Sequence, residues 1–299
     1  MRFARLGDVG AERPVLVTEA GTFDLSQITA DIDGAFFASD GVSRCAAALA
    51  AGALPLLDSQ GLRVGSPIRA SGAVICIGMN YAAHAAESGA SPPDLPVVFL
   101  KTPNTVGGPD DPVQIPRNST RTDWEVELAL VIGRRASYLE SPEESIDYIA
   151  GITVADDLSE REFQLELSGG QWSKGKCCAG FTPTGPWLVT PDELDHSNLR
   201  LRSWANGEPR QDSRTADMVF DVSYLVWHLS QFLVLDPGDL VLTGTPQGVA
   251  LSGRFPYLKA GDVVEVEISG LGRQRHQLVP WAPPAVPTTP QNASTGDSR

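Results

Sequence analysis

The segment TDWEVELALVIG, residues 122–133, constrains the fold more than any other stretch of the chain. After Glu127 it runs Leu128, Ala129, Leu130, Val131, Ile132 without a polar residue. A strand with one wet face alternates apolar and polar residues, so an unbroken apolar run is a strand covered on both faces. The chain must therefore build layers on either side of a central sheet. Alternation puts Glu125, Glu127, Ala129 and Val131 on one face and Val126, Leu128, Leu130 and Ile132 on the other. Two carboxylates about 7 Å apart on one face, at the mouth of such a strand, repel each other and resist burial. A cation between them removes that cost. A solvated acidic strand end is the alternative reading.

An all-oxygen site suits Mg²⁺, Mn²⁺ or Ca²⁺ better than zinc, and it needs a further ligand. GITVADDLSEREF supplies one, because a strand ends there at Asp156 and Asp157 before a helix expected to begin at Ser159. Asp157 or Ser159 capping that helix is the plainer explanation. In GMNYAAHAAESGA, His84 and Glu87 stand three apart, neighbours on one helical face, so the carboxylate can orient and polarise the imidazole for taking a proton from water. A surface histidine with a chance acidic neighbour fits as well. Lys176 in GGQWSKGKCCAGF is a fourth candidate, with Lys174 beside it and a solvated loop lysine as the default.

Composition narrows the function classes. The 299 residues carry 23 basic and 37 acidic side chains, a net charge of −14, which repels phosphate backbones and argues against a nucleic-acid partner. The first residues, MRFARLGDVGAERP, lack a signal-peptide core, and no run of about 18 apolar residues could span a bilayer, so no membrane role and a cytoplasmic setting are expected. Cys45, Cys76, Cys177 and Cys178 are too scattered for a disulfide framework and read as free thiols.

Residues 1–70 read as a small N-terminal α/β domain, a hairpin followed by the helix VSRCAAALAAG closed by Gly52. Residues 71–280 hold many short strands and few helices, which predicts a β-rich α+β domain. The Pro/Ser/Thr-rich tail 281–299 cannot bury enough surface to offset its ordering entropy and is expected to be disordered.

Taken together, IGMNYAAHAAE, PVVFLKTPNTVGGPDDPVQIP, DWEVELALVIG, DYIAGITVADDLSERE, QWSKGK, NGEPRQDSRTADMVF, PGDLVLTGTPQGV and LKAGDVVEVEISGLG, in that order, resemble the fumarylacetoacetate hydrolase family. The whole chain is similar to its bacterial hydrolases of 2,4-diketo-3-deoxy sugar acids and acylpyruvates. The resemblance implies a fold of mixed sheets, a homodimer, and Mg²⁺ or Mn²⁺ held by Glu125, Glu127 and Asp157. It matches His84 and Glu87 to the family's H-x-x-E helix, Lys176 to its lysine, and residues 243–246, with Thr245, to its TGTP loop. Lys101 matches a position that faces the site, and Arg214, where relatives carry a small polar residue, is a candidate clamp for a distal carboxylate.

The chemistry so implied is hydrolysis of a carbon–carbon bond in a 2,4-dioxo acid, releasing pyruvate and a second acid, with a 2-oxo acid as the small-molecule partner. Decarboxylation or keto-enol isomerisation of a 2-oxo acid is the rival, and a non-catalytic metal-binding protein a second one. The last is prompted by Cys178, Ala179, Gly180 and Phe181, where relatives carry an Asp and a hydroxyl after the lysine.

Overall fold

The computed structural model describes residues 1–69 and 72–283. From residue 284 on, the expected tail lies outside the described residues. At the centre stands the strand Val126–Ile132, wholly buried and paired antiparallel with Ile149–Asp156 on one side and Leu240–Leu242 on the other. The sheet continues through the parallel strand Val74–Gly78 to Val97–Lys101 at one edge. Beyond Ile149–Asp156 come Leu188–Val189, Arg2–Leu6, Arg13–Thr18 and Gly21–Asp24, nine strands in all. Residues 1–24 thus extend the main sheet, joined to it where Arg2 and Phe3 pair with Val189 and Leu188.

A five-stranded sheet covers one face, in the order Glu208–Arg214, Arg200–Ala205, Val263–Ile268, Gly272–Val279, Val113–Gln114. Its Leu201, Val264, Val266 and Ile268 join Val126, Leu128, Leu130 and Ile132 in one core. The opposite face, with Ala129 and Val131, packs on Phe36, Phe37 and Cys45 from the helices Gly34–Ala38 and Gly41–Ala50. The central strand is therefore covered on both faces with the alternation its sequence dictates, in a β-rich fold of mixed sheets with few helices. All four cysteines are free. Among the described residues no helix is long and apolar enough to cross a membrane.

One local expectation changes. Ser159 and Glu160 do not open a helix; they pair with Asp123 and Thr122, and the helical turn starts at Glu162. The carboxylate of Glu160 caps that turn by accepting from the Phe163 amide at 2.7 Å.

Candidate functional site

Strand register brings the acidic residues together. The ladder sets Ala155 opposite Glu127 and Asp156 opposite Val126, and a bond from the Asp157 amide to the Glu125 carbonyl (2.9 Å) carries it one step further. Because side chains alternate, Asp157 emerges on the face of Glu125 and Glu127. Asp156 turns to the other face, where its Oδ1 accepts from the Glu125 amide (2.8 Å) and its Oδ2 meets His276 Nε2 (2.9 Å). One carboxylate oxygen from each of Glu125, Glu127 and Asp157 lies within 4.8 Å of the others, and all three residues are buried.

Their electrostatics are unequal. Glu125 accepts from Arg161 Nη2 and from Lys176 Nζ, both at 2.6 Å. Burial pushes its carboxyl up, but the charges of Lys176 and Arg161 outweigh that and hold it down at about 2. Asp157 receives Lys101 Nζ on Oδ1 (2.5 Å) and Lys176 Nζ on Oδ2 (2.7 Å). Lys176, pulled down by burial, is carried well above its ordinary value by Asp157 and Glu125 and stays charged. Glu127 has no such partner. It accepts one hydrogen bond among the described residues, from the Gly244 amide at 2.8 Å, and burial together with the charges of Asp157 and Glu125 pushes it well above the usual carboxylate range. A buried carboxylate lacking a counter-charge, beside two more oxygen ligands, is the donor set a hard divalent cation fits. Glu125, Glu127 and Asp157 would hold it.

Gly244 makes the Glu127 contact with φ +96°, and a Cβ there would lie 2.8 Å from Asn80 Cβ. The neighbouring Thr245 hydroxyl donates to the Val126 carbonyl (2.9 Å) and accepts from Gln211 Nε2 (2.7 Å), which fixes the loop to the central strand.

A cavity of about 310 Å³ opens over the carboxylates, with Glu125, Glu127, Lys176 and Thr245 on one side and His84 and Glu87 on another. His84 Nδ1 lies 3.1 Å from Glu87 Oε1, and both Glu87 oxygens accept from the Gly248 amide (3.0 and 3.1 Å). A proton on Nδ1 leaves the Nε2 lone pair free, and no described residue bonds to Nε2. The short helix Ala82–Glu87 thus presents an oriented base to the cavity that Glu125 and Glu127 also line.

Of the nine residues singled out in the sequence, six line the cavity, Asp157 and Lys101 are buried beside it in the same cluster, and Arg214 stands apart. Lys101 is fully buried behind Asp157, held by that carboxylate and by the Phe181 carbonyl (2.8 Å), so it braces a ligand and does not line the cavity. That bond also bears on the Cys178 to Phe181 departure, because the turn at Gly180 (φ +75°) delivers a backbone carbonyl to the site. Arg214 is exposed on the five-stranded sheet, bonded to Asn198 Oδ1 (3.2 Å), and is not on the cavity wall.

Sequence reasoning passed over Arg161 and Asp123. Arg161 is buried, and its fork joins Asp123 Oδ2 (2.8 Å), Glu125 and Gln164 Oε1 (2.9 Å). Asp123 in turn accepts from the amides of Ala250 and Leu251 (2.8 and 2.9 Å), tying down the loop after Gly248. The arginine of DLSER was the available signal.

The family profile described as fumarylacetoacetate (FAA) hydrolase C-terminal matches residues 73–279. A 2,4-didehydro-3-deoxy-L-rhamnonate hydrolase from Sphingomonas sp. (strain SKA58) is 41% identical over 288 residues, 94% of this chain and 97% of the relative. Among solved structures, fumarylacetoacetate hydrolase from psychrophilic Exiguobacterium antarcticum superposes with a TM-score of 0.81 at 29% identity, covering 94% of this chain and 100% of that one. 5-Carboxymethyl-2-hydroxymuconate delta-isomerase from Mycobacterium smegmatis gives 0.74 at 32% identity, with the same coverage.

Proposed function

The chain belongs to the fumarylacetoacetate hydrolase family, and we propose that within it the protein hydrolyses a carbon–carbon bond of a 2,4-dioxo acid, yielding pyruvate and a second acid. One observation carries this reading: a cluster of three carboxylates, two of which line one small cavity, shares that cavity with a histidine whose free ring nitrogen is oriented by a glutamate. Such a site supplies both a place to grip an α-keto acid and a base for water.

Glu125, Glu127 and Asp157 would hold Mg²⁺ or Mn²⁺, which would supply Lewis-acid polarisation of the 2-oxo group. His84 accepts a proton from water at Nε2 while Glu87 stabilises the imidazolium through Nδ1. The hydroxide oxygen adds to C4. The C3–C4 bond then breaks, leaving its electron pair on the pyruvyl fragment, and His84 returns the proton to C3. Lys176, charged and beside Glu125, offsets the negative charge that develops on oxygen.

The isomerase among the structural neighbours marks the rival chemistry. Decarboxylation requires neither an attacking water nor a base, so the oriented His84 disfavours it, while keto-enol transfer uses the same base and is told from hydrolysis by its products. A panel of 2,4-dioxo acids with Mg²⁺ or Mn²⁺, read by loss of enol absorbance and by pyruvate formed, separates them. Hydrolysis predicts stoichiometric pyruvate, abolished by chelation and reduced by about 10²-fold or more in His84→Ala, a variant that keeps its metal. Proton exchange or CO₂ release without pyruvate from an acylpyruvate would replace this reading.

A further inference from the structure

We infer that the group this enzyme accepts on the far side of the scissile bond is uncharged, so that it acts on monocarboxylic 2,4-dioxo acids and discriminates against dicarboxylic ones; the inference rests on the substrate pose proposed above. The cavity has two basic residues on its wall, Arg161 and Lys176. Both are committed. Arg161 spans Asp123 and Glu125, and Lys176 spans Glu125 and Asp157. Three glutamates, Glu87, Glu125 and Glu127, share the same wall. A divalent ion would balance the cluster and one pyruvyl carboxylate, and no described cationic side chain of the lining then remains to meet a second one.

Arg214, the sequence's candidate for that second contact, bonds Asn198 in the turn His196–Asn198 and does not reach the cavity. Away from the carboxylates the wall is mostly apolar, with Met79, Phe99, Leu165, Trp172 and Leu251, and its polar members there, Ser88 and Gln164, are uncharged. A carboxylate entering there loses water and gains no counter-charge, while a methyl, an alkyl chain or a hydroxylated carbon loses little. Specificity follows from what the wall lacks. Leu165, 47% exposed at the rim on the turn Glu162–Glu166, is the position where an added charge would change it without disturbing the core.

The test pairs two acids of equal carbon count, 2,4-dioxoheptanoate and 2,4-dioxoheptanedioate, with the Mg²⁺-loaded protein. The expected result is a kcat/KM at least about 100-fold higher for the monoacid, and Leu165→Arg should narrow the gap about tenfold through the KM of the diacid. Calorimetric binding of both acids to His84→Ala with Mg²⁺ reads the same preference without turnover. Equal or better use of the diacid overturns the inference, as does an unchanged gap in Leu165→Arg. If neither acid is cleaved but the monoacid binds more tightly, the hydrolase reading falls and the charge preference stands; if neither binds, both fall.

Discussion

Glu127 separates this site from an ordinary buried salt-bridge network. Glu125 and Asp157 each hold lysine or arginine partners, whereas Glu127 relies on one backbone amide and is pushed toward its neutral form. An unpaired buried carboxylate costs several kcal/mol unless it takes a proton or a cation. Glu127→Gln should therefore raise the unfolding free energy of the chelated protein by about 1–3 kcal/mol. The same substitution should erase the stabilisation that Mg²⁺ gives the wild type. Thermal unfolding with chelator and then with excess Mg²⁺ reads both effects, and a destabilised chelated variant would mean that Glu127 is already satisfied. The pair Glu125 and Glu127 was visible in the sequence because a strand's two-residue period is local. Arg161 was not, because its partners Asp123 and Glu125 meet it only through the pairing of Ser159–Glu160 with Thr122–Asp123.

Strands with apolar inward positions were legible for the same reason, and two others were not. Gly272–Val279 turns Gln274 and His276 inward, and Glu208–Arg214 turns Gln211 and Ser213 inward, so neither shows the apolar alternation that marks a half-buried strand. Those inward polar groups have work to do: Gln211 holds Thr245 and Pro246, Gln274 bonds three backbone carbonyls, and His276 supports Asp156. Another connection invisible in the sequence is Arg63, which bonds Gly7, Glu12 and Asp111 and so fastens the first strands to the loop after Gly108. Burial works to raise the Asp111 carboxyl, but hydrogen bonds from Arg63 and the Gly108 amide outweigh it and hold it below the usual range. A carboxyl with a lowered folded pKa stabilises above its unfolded value, and that contribution disappears as pH falls through the folded one. Asp111→Asn should cost at most about 1 kcal/mol at pH near 6, the ion pair being partly exposed. The difference from wild type should shrink toward zero at a pH well below the ordinary carboxylate range. Urea unfolding at both pH values checks it, and a pH-independent difference would assign the effect to packing.

For the molecule as a whole, the sheet exists to place three carboxylates at one end of a strand buried on both faces. The core on either side fixes the register of Val126–Ile132 against Ile149–Asp156, and a slip of one residue would send Asp157 to the face now held by Asp156. The β-rich class and the convergence of His84, Glu87, Glu125, Glu127, Asp157 and Lys176 follow from local pattern and from family resemblance. The continuity of residues 1–24 with the main sheet does not, since pairing of Arg2–Leu6 with Leu188–Val189 joins residues 2 and 3 to residues 189 and 188, far apart in the chain. What remains decisive is whether the acidic cluster holds a metal. Crystals grown with Mn²⁺ and measured at its absorption edge should show one strong anomalous peak per chain, within bonding distance of Glu125, Glu127 and Asp157. A map with no peak there at saturating Mn²⁺ would contradict the account.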